Sequence, residues 1–248
     1  MDEALREQRI DLACAFRWAV RLNLHEGVCN HFSLAVPDED GVMRGNRFLI
    51  NPYGRHWSEM TASSLLLVDA DGDVLEGEEE VETSAFTIHR GVHLAAPQAV
   101  CVMHTHMPHT TALTLLKDSE LKMCEQNALM FHDRIAYDEE YNGLSTDNAE
   151  GERIASKLGN RAVLMMASHG VTVTGANVRE TFTDLYYLER AATFQVLARS
   201  TGGELRELSG DVVSKTSAQM TEERPILAER HFAALRRILE REEPAFLN

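Results

Sequence analysis

The sequence predicts an α/β sandwich, with helices packed on the faces of a mostly antiparallel sheet. Three observations predict it. Apolar residues recur at helical spacing over residues 3–26, 84–96, 147–158 and 179–199. Between these stretches lie short apolar runs of strand length. Two of the runs flank an Asp71-Gly72 turn, which makes them antiparallel neighbours.

In chain order, Leu5, Ile10, Leu12, Ala13, Phe16, Val20 and Leu24 stripe an opening helix, with Gly27 as its C-terminal cap. Phe32–Val36 and Phe48–Ile50 read as short strands, and Leu65–Leu75 as strand, turn and strand. After the acidic loop Glu78–Glu80, a helix covers Ser84–Ala96 and stops before Pro97. A strand ending at His104 and a helix over Thr110–Leu116 follow. Leu121–Tyr141 is ambiguous, with one strand near Arg134–Tyr137. Asp147–Leu158 is a helix capped by Thr146, Val163–Met166 and Val171–Val173 are strands, and Arg179–Arg199 is a long helix. Residues 207–219 read as a mobile segment. Glu222–Arg241 is a last helix, with Pro225 tolerated in its first turn. No repeat, low-complexity linker or composition break divides the chain, so one domain is expected over 1–248.

The chemistry-bearing pattern is His104-Thr105-His106, at the end of the apolar run that begins at Ala99. Strand side chains alternate faces, so the two imidazoles leave the strand on the same side. A second apolar run, from Ala162, ends in His169-Gly170. Three imidazoles form a facial donor set that leaves coordination positions open, as catalytic rather than structural metal sites do. The alternative is three core histidines bonded to backbone. One divalent metal per subunit is expected, zinc or manganese, with iron or cobalt accepted by the same donors.

The formal charge of -15 and a pI near 5.1 disfavour nucleic acid and anionic membranes as partners. A small anionic substrate is still compatible, because a bound metal dominates the local field. No apolar stretch approaches the roughly 20 residues of a membrane span, and the charged start Met1–Glu7 lacks a signal-peptide core. Cys14, Cys29, Cys101 and Cys124 are scattered and form no C-x-x-C pair, which fits reduced thiols and a cytoplasmic location.

Several short motifs occur in a fixed order: Gly27-Val-Cys-Asn30-His31-Phe-Ser33, Ile50-Asn51-Pro-Tyr-Gly54, Ser84-Ala85-Phe-Thr-Ile-His89, Val102-Met-His104-Thr-His106 and Ser168-His169-Gly-Val171. With these, the chain resembles the class II aldolase/adducin family over about residues 7–200. The resemblance implies a three-layer α/β/α sandwich whose central, mostly antiparallel sheet has about nine strands. It implies a divalent metal on His104, His106 and His169, and a homotetramer with sites between subunits. Sugar-phosphate aldolases of the family carry a metal-binding, proton-moving glutamate where this chain has Ala85. In the phosphate loop, Asn51 stands where a hydroxyl residue is usual. The sequence is closer to the adducin-like branch, whose relatives include decarboxylases of hydroxylated aromatic acids.

The other candidates follow from position and type. His31 is a pocket residue or acid/base, or it braces its loop; Asn30 beside it is a donor to a carboxylate or phenolate. Asn51 and Gly54 are donors to substrate, and Arg55 with His56 forms an anion subsite or a solvated loop. Ser84 and Thr83, at a helix start, bind an anion or cap the helix. Glu125 lies among apolar residues, where a carboxyl keeps its proton, and is a candidate for the missing acid/base, with a salt bridge as the alternative. Glu82 is a more distant substitute. Tyr137 and Tyr141 are candidate proton donors from a neighbouring subunit. The expected activity is that of a metal-dependent carbon–carbon lyase on a small oxygenated anion, closer to a decarboxylase than to a sugar-phosphate aldolase. An aldolase and a non-catalytic adducin-like interaction domain are the alternatives.

Overall fold

The computed structural model describes residues 3–96 and 98–248. Met1, Asp2 and Pro97, used above to read the N-terminus and a helix end, lie outside the described residues. Eight strands form one sheet: β1 His31–Ala35, β2 Arg47–Ile50, β3 Leu66–Asp69, β4 Val74–Glu76, β5 Cys101–Thr105, β6 Ile135–Asp138, β7 Val163–Met166 and β8 Gly170–Gly175. Their order is β4-β3-β2-β1-β5-β8-β7-β6, and every pairing except β6–β7 is antiparallel. The expected count of about nine is therefore corrected to eight among the described residues, while the three-layer α/β/α sandwich and mostly antiparallel sheet stand.

Alternation along β5 and β1 sorts the two faces. Met103 and Phe32 point into a large core with Phe16, Phe182 and Phe232, from helices α1 Glu3–Arg21, α5 Val178–Ser200 and α6 Gly210–Glu242. Val102 points the other way, into a smaller core with Ile88, Val92 and Ile154 from α2 Thr83–Ala95 and α4 Asn148–Leu158. Gly91 and Gly151 let α2 and α4 touch backbone to backbone; a Cβ on Gly151 would lie 2.1 Å from the carbonyl oxygen of Thr87. The short helix α3 Pro108–Thr114 packs on α5.

Several boundaries differ from the expected ones. Helix α1 ends at Arg21 rather than near residue 26. Its last turn closes through the Leu24 amide on the Ala19 carbonyl at 2.8 Å, with Asn23 as the left-handed residue at the helix end; Gly27, also at positive φ, lies beyond it. Helix α4 is capped by Asp147, whose side chain accepts from the Glu150 amide, so Thr146 lies one residue too early. The segment expected to be mobile is helical from Gly210, and Pro225 lies inside α6 rather than in a first turn. Tertiary contacts carry the helix past the proline. Arg224 pairs with Asp184 and Glu180, and Ala228, Phe232, Leu235 and Leu239 are buried. Val213 anchors the earlier part.

Candidate metal centre

The centre lies at one end of the sheet, on the α2 face. His104, on β5, sits directly across from His31 on β1 and Thr172 on β8. His106 follows the end of β5. His169 occupies the three-residue turn between β7 and β8, in which Ser168 takes a positive φ of 56°. Gly170 closes this turn against β5: a Cβ there would lie 2.5 Å from the Thr105 carbonyl oxygen and 2.7 Å from the His106 ring. That close approach brings His169 beside the other two rings.

The ring centroids of His104, His106 and His169 are 4.7–5.1 Å apart in all three pairs. One ligand atom from each lies within 4.8 Å of the others. Nε2 of His104 and Nε2 of His106 face each other at 3.2 Å. The opposite nitrogens are held. Nδ1 of His104 lies 3.3 Å from the Thr172 hydroxyl, and Nδ1 of His106 donates to the Glu26 carboxylate. The carboxylate puts the hydrogen of His106 on Nδ1 and leaves its Nε2 lone pair aimed inward; with Thr172 accepting from Nδ1 of His104, both Nε2 atoms are free to bind a metal. Burial, and then the neighbouring rings, push His104 well below the ordinary histidine value and His169 down to about 4, with Glu26 opposing the latter shift. Neutral, unprotonated donors are what a divalent cation requires.

The remaining candidates separate into three groups. His31 belongs to the centre: it lies on β1, not in the preceding loop, and its ring stacks on His104 at 4.8 Å. Burial lowers it to about 3, with His106 and His169 adding to the shift. Asn30 and Asn51 adjoin the centre as braces. Oδ1 of Asn30 accepts from the Glu26 amide at 2.8 Å and the His106 amide at 3.4 Å, and Asn51 accepts from the Phe32 amide at 3.2 Å. The others are engaged elsewhere. Arg55 pairs with Glu79 and, with Gly54, lines a surface hollow that also holds Glu59 and Glu80. That acidic setting does not make an anion subsite within this chain. Thr83 is exposed at the start of α2, and Ser84 donates to Glu82. The Glu82 carboxylate also accepts from the Ala85 amide at 2.8 Å, so it occupies the helix start that an anion would need. Glu125 caps a turn, accepting from the amides of Asn127 at 2.9 Å and Ala128 at 2.6 Å. It is half-buried rather than sealed among apolar groups, and both of its oxygens are engaged by those amides. The Tyr137 hydroxyl accepts from the Leu121 amide at 3.0 Å, while Tyr141 is exposed with its ring 6.1 Å from that of His169.

Sequence reasoning missed Glu26 and Thr172, which orient the ligand rings. Glu26 is 80 residues from His106 in a loop with no periodic signal. Thr172 was legible in principle, as the β8 residue opposite His104. Ala85 is 2% exposed and packs among Phe48, Ile50, Leu66 and Val68.

Residues 10–196 match the family model described as Class II Aldolase and Adducin N-terminal domain. The chain belongs to the class II aldolase/adducin family. Its relatives in the family include a protein of Caulobacter vibrioides named "Putative aldolase class 2 protein", 34% identical over 82% of this chain and 76% of the relative. Human beta-adducin is 34% identical over 66% of this chain, which spans 23% of that longer protein. Among solved structures, an aldolase II superfamily protein from Pseudomonas syringae superimposes with a TM-score of 0.89 at 30% identity, over 100% of this chain and 98% of the other. L-fuculose 1-phosphate aldolase from Glaciozyma antarctica PI12 shares the fold, with a TM-score of 0.83 at 20% identity over 96% of this chain and 91% of the other.

Proposed function

We propose that this class II aldolase/adducin protein is a divalent-metal-dependent carbon–carbon lyase for a small oxygenated anion, and that it decarboxylates rather than cleaves a sugar-phosphate aldol. The observation that carries this reading is the convergent trio of His104, His106 and His169, together with the alanine at the family's glutamate position, Ala85, which is buried among Phe48, Ile50, Leu66 and Val68. Two of the rings have their outer nitrogens held by Thr172 and Glu26, so the trio fits a zinc or manganese ion, and iron or cobalt by the same donor chemistry. Such an ion, when bound, supplies Lewis acidity toward substrate oxygens.

The protein's own groups define the rest. The Ala85 methyl can neither ligate nor carry a proton, so the base that a retro-aldol step needs is missing at that position. Nε2 of His31 has no hydrogen-bond partner among the described residues. It accepts a hydrogen bond from a substrate hydroxyl and orients that hydrogen, and burial, which lowers the ring to about 3, makes any proton it carries readily given to the carbon that has lost carbon dioxide. Asn30 and Asn51 hold the loop that carries Glu26. Among the described residues, no Lys or Arg is hydrogen-bonded or ion-paired to the histidine rings.

A specific observation favours aldol cleavage as the second reading: Glu26, an exposed carboxylate touching His106, is a possible proton carrier. The relation to beta-adducin favours the third, an interaction domain without turnover. We further propose a cytoplasmic homotetramer, supported by apolar side chains exposed around α3 and α5, including Leu115, Leu116, Phe194 and Leu197. Protein loaded with zinc or manganese and screened against hydroxy-aromatic acids and aldol adducts tests the activity. Release of carbon dioxide supports the first reading and release of aldehyde the second. A metal-free, inactive protein supports the third.

A further inference from the structure

Behind His31 runs a continuous hydrogen-bonded chain of buried side chains. Nδ1 of His93 lies 3.0 Å from the Ala99 carbonyl oxygen. Nε2 of His93 lies 2.7 Å from Oγ of Ser33, which also contacts Nδ1 of His89. Nε2 of His89 lies 2.8 Å from Nδ1 of His31. His31 is 3% exposed, His93 is 1%, and Ser33 and His89 are fully buried. No carboxylate is hydrogen-bonded to any of the four among the described residues. Three buried imidazoles in one chain without a counter-ion are neutral, and each carries a single ring hydrogen.

The direction of every bond then follows from one fixed point. A carbonyl oxygen can only accept, so the hydrogen of His93 is on Nδ1 and its Nε2 is an acceptor. The Ser33 hydroxyl must donate to that Nε2, which leaves Oγ to accept from Nδ1–H of His89. His89 therefore presents a bare Nε2, and His31 must donate to it from Nδ1. What remains is Nε2 of His31, without a hydrogen, on the ring stacked against His104.

We infer that His93, Ser33 and His89 are positioning residues that lock His31 in its Nδ1–H tautomer and so present a bare Nε2 to the metal centre. The lock is independent of the reaction; its use as a hydrogen-bond acceptor for a substrate hydroxyl rests on the reading proposed above. It selects ligands that carry a hydrogen at that point over those that carry only an oxygen acceptor there. The same chain also explains why two histidines one helical turn apart on α2 are not metal ligands. All four of their ring nitrogens are already used.

Selective 15N-histidine labelling of the full chain, with His31 assigned by loss of its signals in His31→Gln, tests the lock by NMR. Metal-free and zinc-loaded protein should both show His31 with a protonated Nδ1 and an unprotonated Nε2. Ser33→Ala removes the central link, so the Nε2–H tautomer of His31 should become populated, and Ser33→Thr, which keeps the hydroxyl, should restore the wild-type pattern. A wild-type His31 carrying its hydrogen on Nε2 would overturn the proposal, as would a folded Ser33→Ala protein with an unchanged His31. If Ser33→Ala does not fold, the wild-type tautomer decides the matter alone. No substrate is used, so the predicted tautomer together with absent lyase turnover would refute the proposed reaction and leave the lock standing.

Discussion

Two buried polar regions of this molecule look alike in composition and differ in how their atoms are paired. On one side of the sheet, Asp184 of α5 is fully buried and receives Arg134 and Arg224. Nearby, both oxygens of Glu189 are taken by His109, Thr110 and their amides. Each charge or lone pair there has its partner within the chain. At the histidine centre, the outer nitrogens of His104 and His106 are held in the same way, but their inner nitrogens meet only each other, 3.2 Å apart. Burial of polar groups is costly unless they are paired. The first region resolves that cost internally and is scaffold. The second leaves inner nitrogens with no partner outside the histidine cluster, which is what the proposed metal site would use.

The comparison can be broken from either side. The largest effect is expected for Asp184→Ala, which leaves two half-buried guanidinium groups without their carboxylate. Denaturant unfolding should show a loss of about 3–5 kcal/mol, with metal stoichiometry unchanged. Gly170→Ala comes next, because its Cβ would press on the Thr105 carbonyl and the His106 ring. It should lower stability by about 1–3 kcal/mol and, unlike the Asp184 variant, also weaken metal binding in a chelator competition. Glu26→Gln should leave the unfolding curve almost unmoved, since Glu26 is exposed. It should weaken metal affinity by about ten- to a hundredfold, as loss of an orienting carboxylate does. An Asp184 variant that loses metal, or a Glu26 variant that loses only stability, would erase the distinction.

A further effect is graded with pH. Burial holds His93 down to about 4 in the folded chain, against an ordinary value near 6.5. Below 6.5 the unfolded chain takes up a proton that the folded chain refuses. The stability gained by keeping His93 neutral is therefore fully present above about pH 6.5 and is lost as the pH falls through about 4. Thermal melts of metal-free protein should follow that window, and a flat profile between pH 7 and 4 would contradict the dry environment assigned to α2.

Much of this was legible in the sequence because it follows short-range periodicity. Period two along Ala99–His106 put two rings on one side, and the second apolar run delivered His169 to the same end. What was not legible depends on contacts distant in sequence. Glu26 has no pattern that marks it as the partner of His106. Helix α6 was expected to start only at Glu222, with Pro225 in its first turn, because the salt bridges from Arg224 that carry it past the proline reach Asp184 and Glu180, 40 and 44 residues away. Arg55 had the composition of an anion site, yet Glu79 was already opposite it. Ser33 stood inside a recognised motif, but its meaning required knowing that β1 lies under His89 and His93.

Metal content of protein purified without chelator bears most directly on the central claim that three neutral imidazoles converge to hold an ion. Elemental analysis should find one divalent metal per chain, absent from both His104→Ala and His169→Ala while each variant remains folded by circular dichroism. Wild-type protein that takes up neither zinc nor manganese, or retention of the metal in both variants, would contradict it.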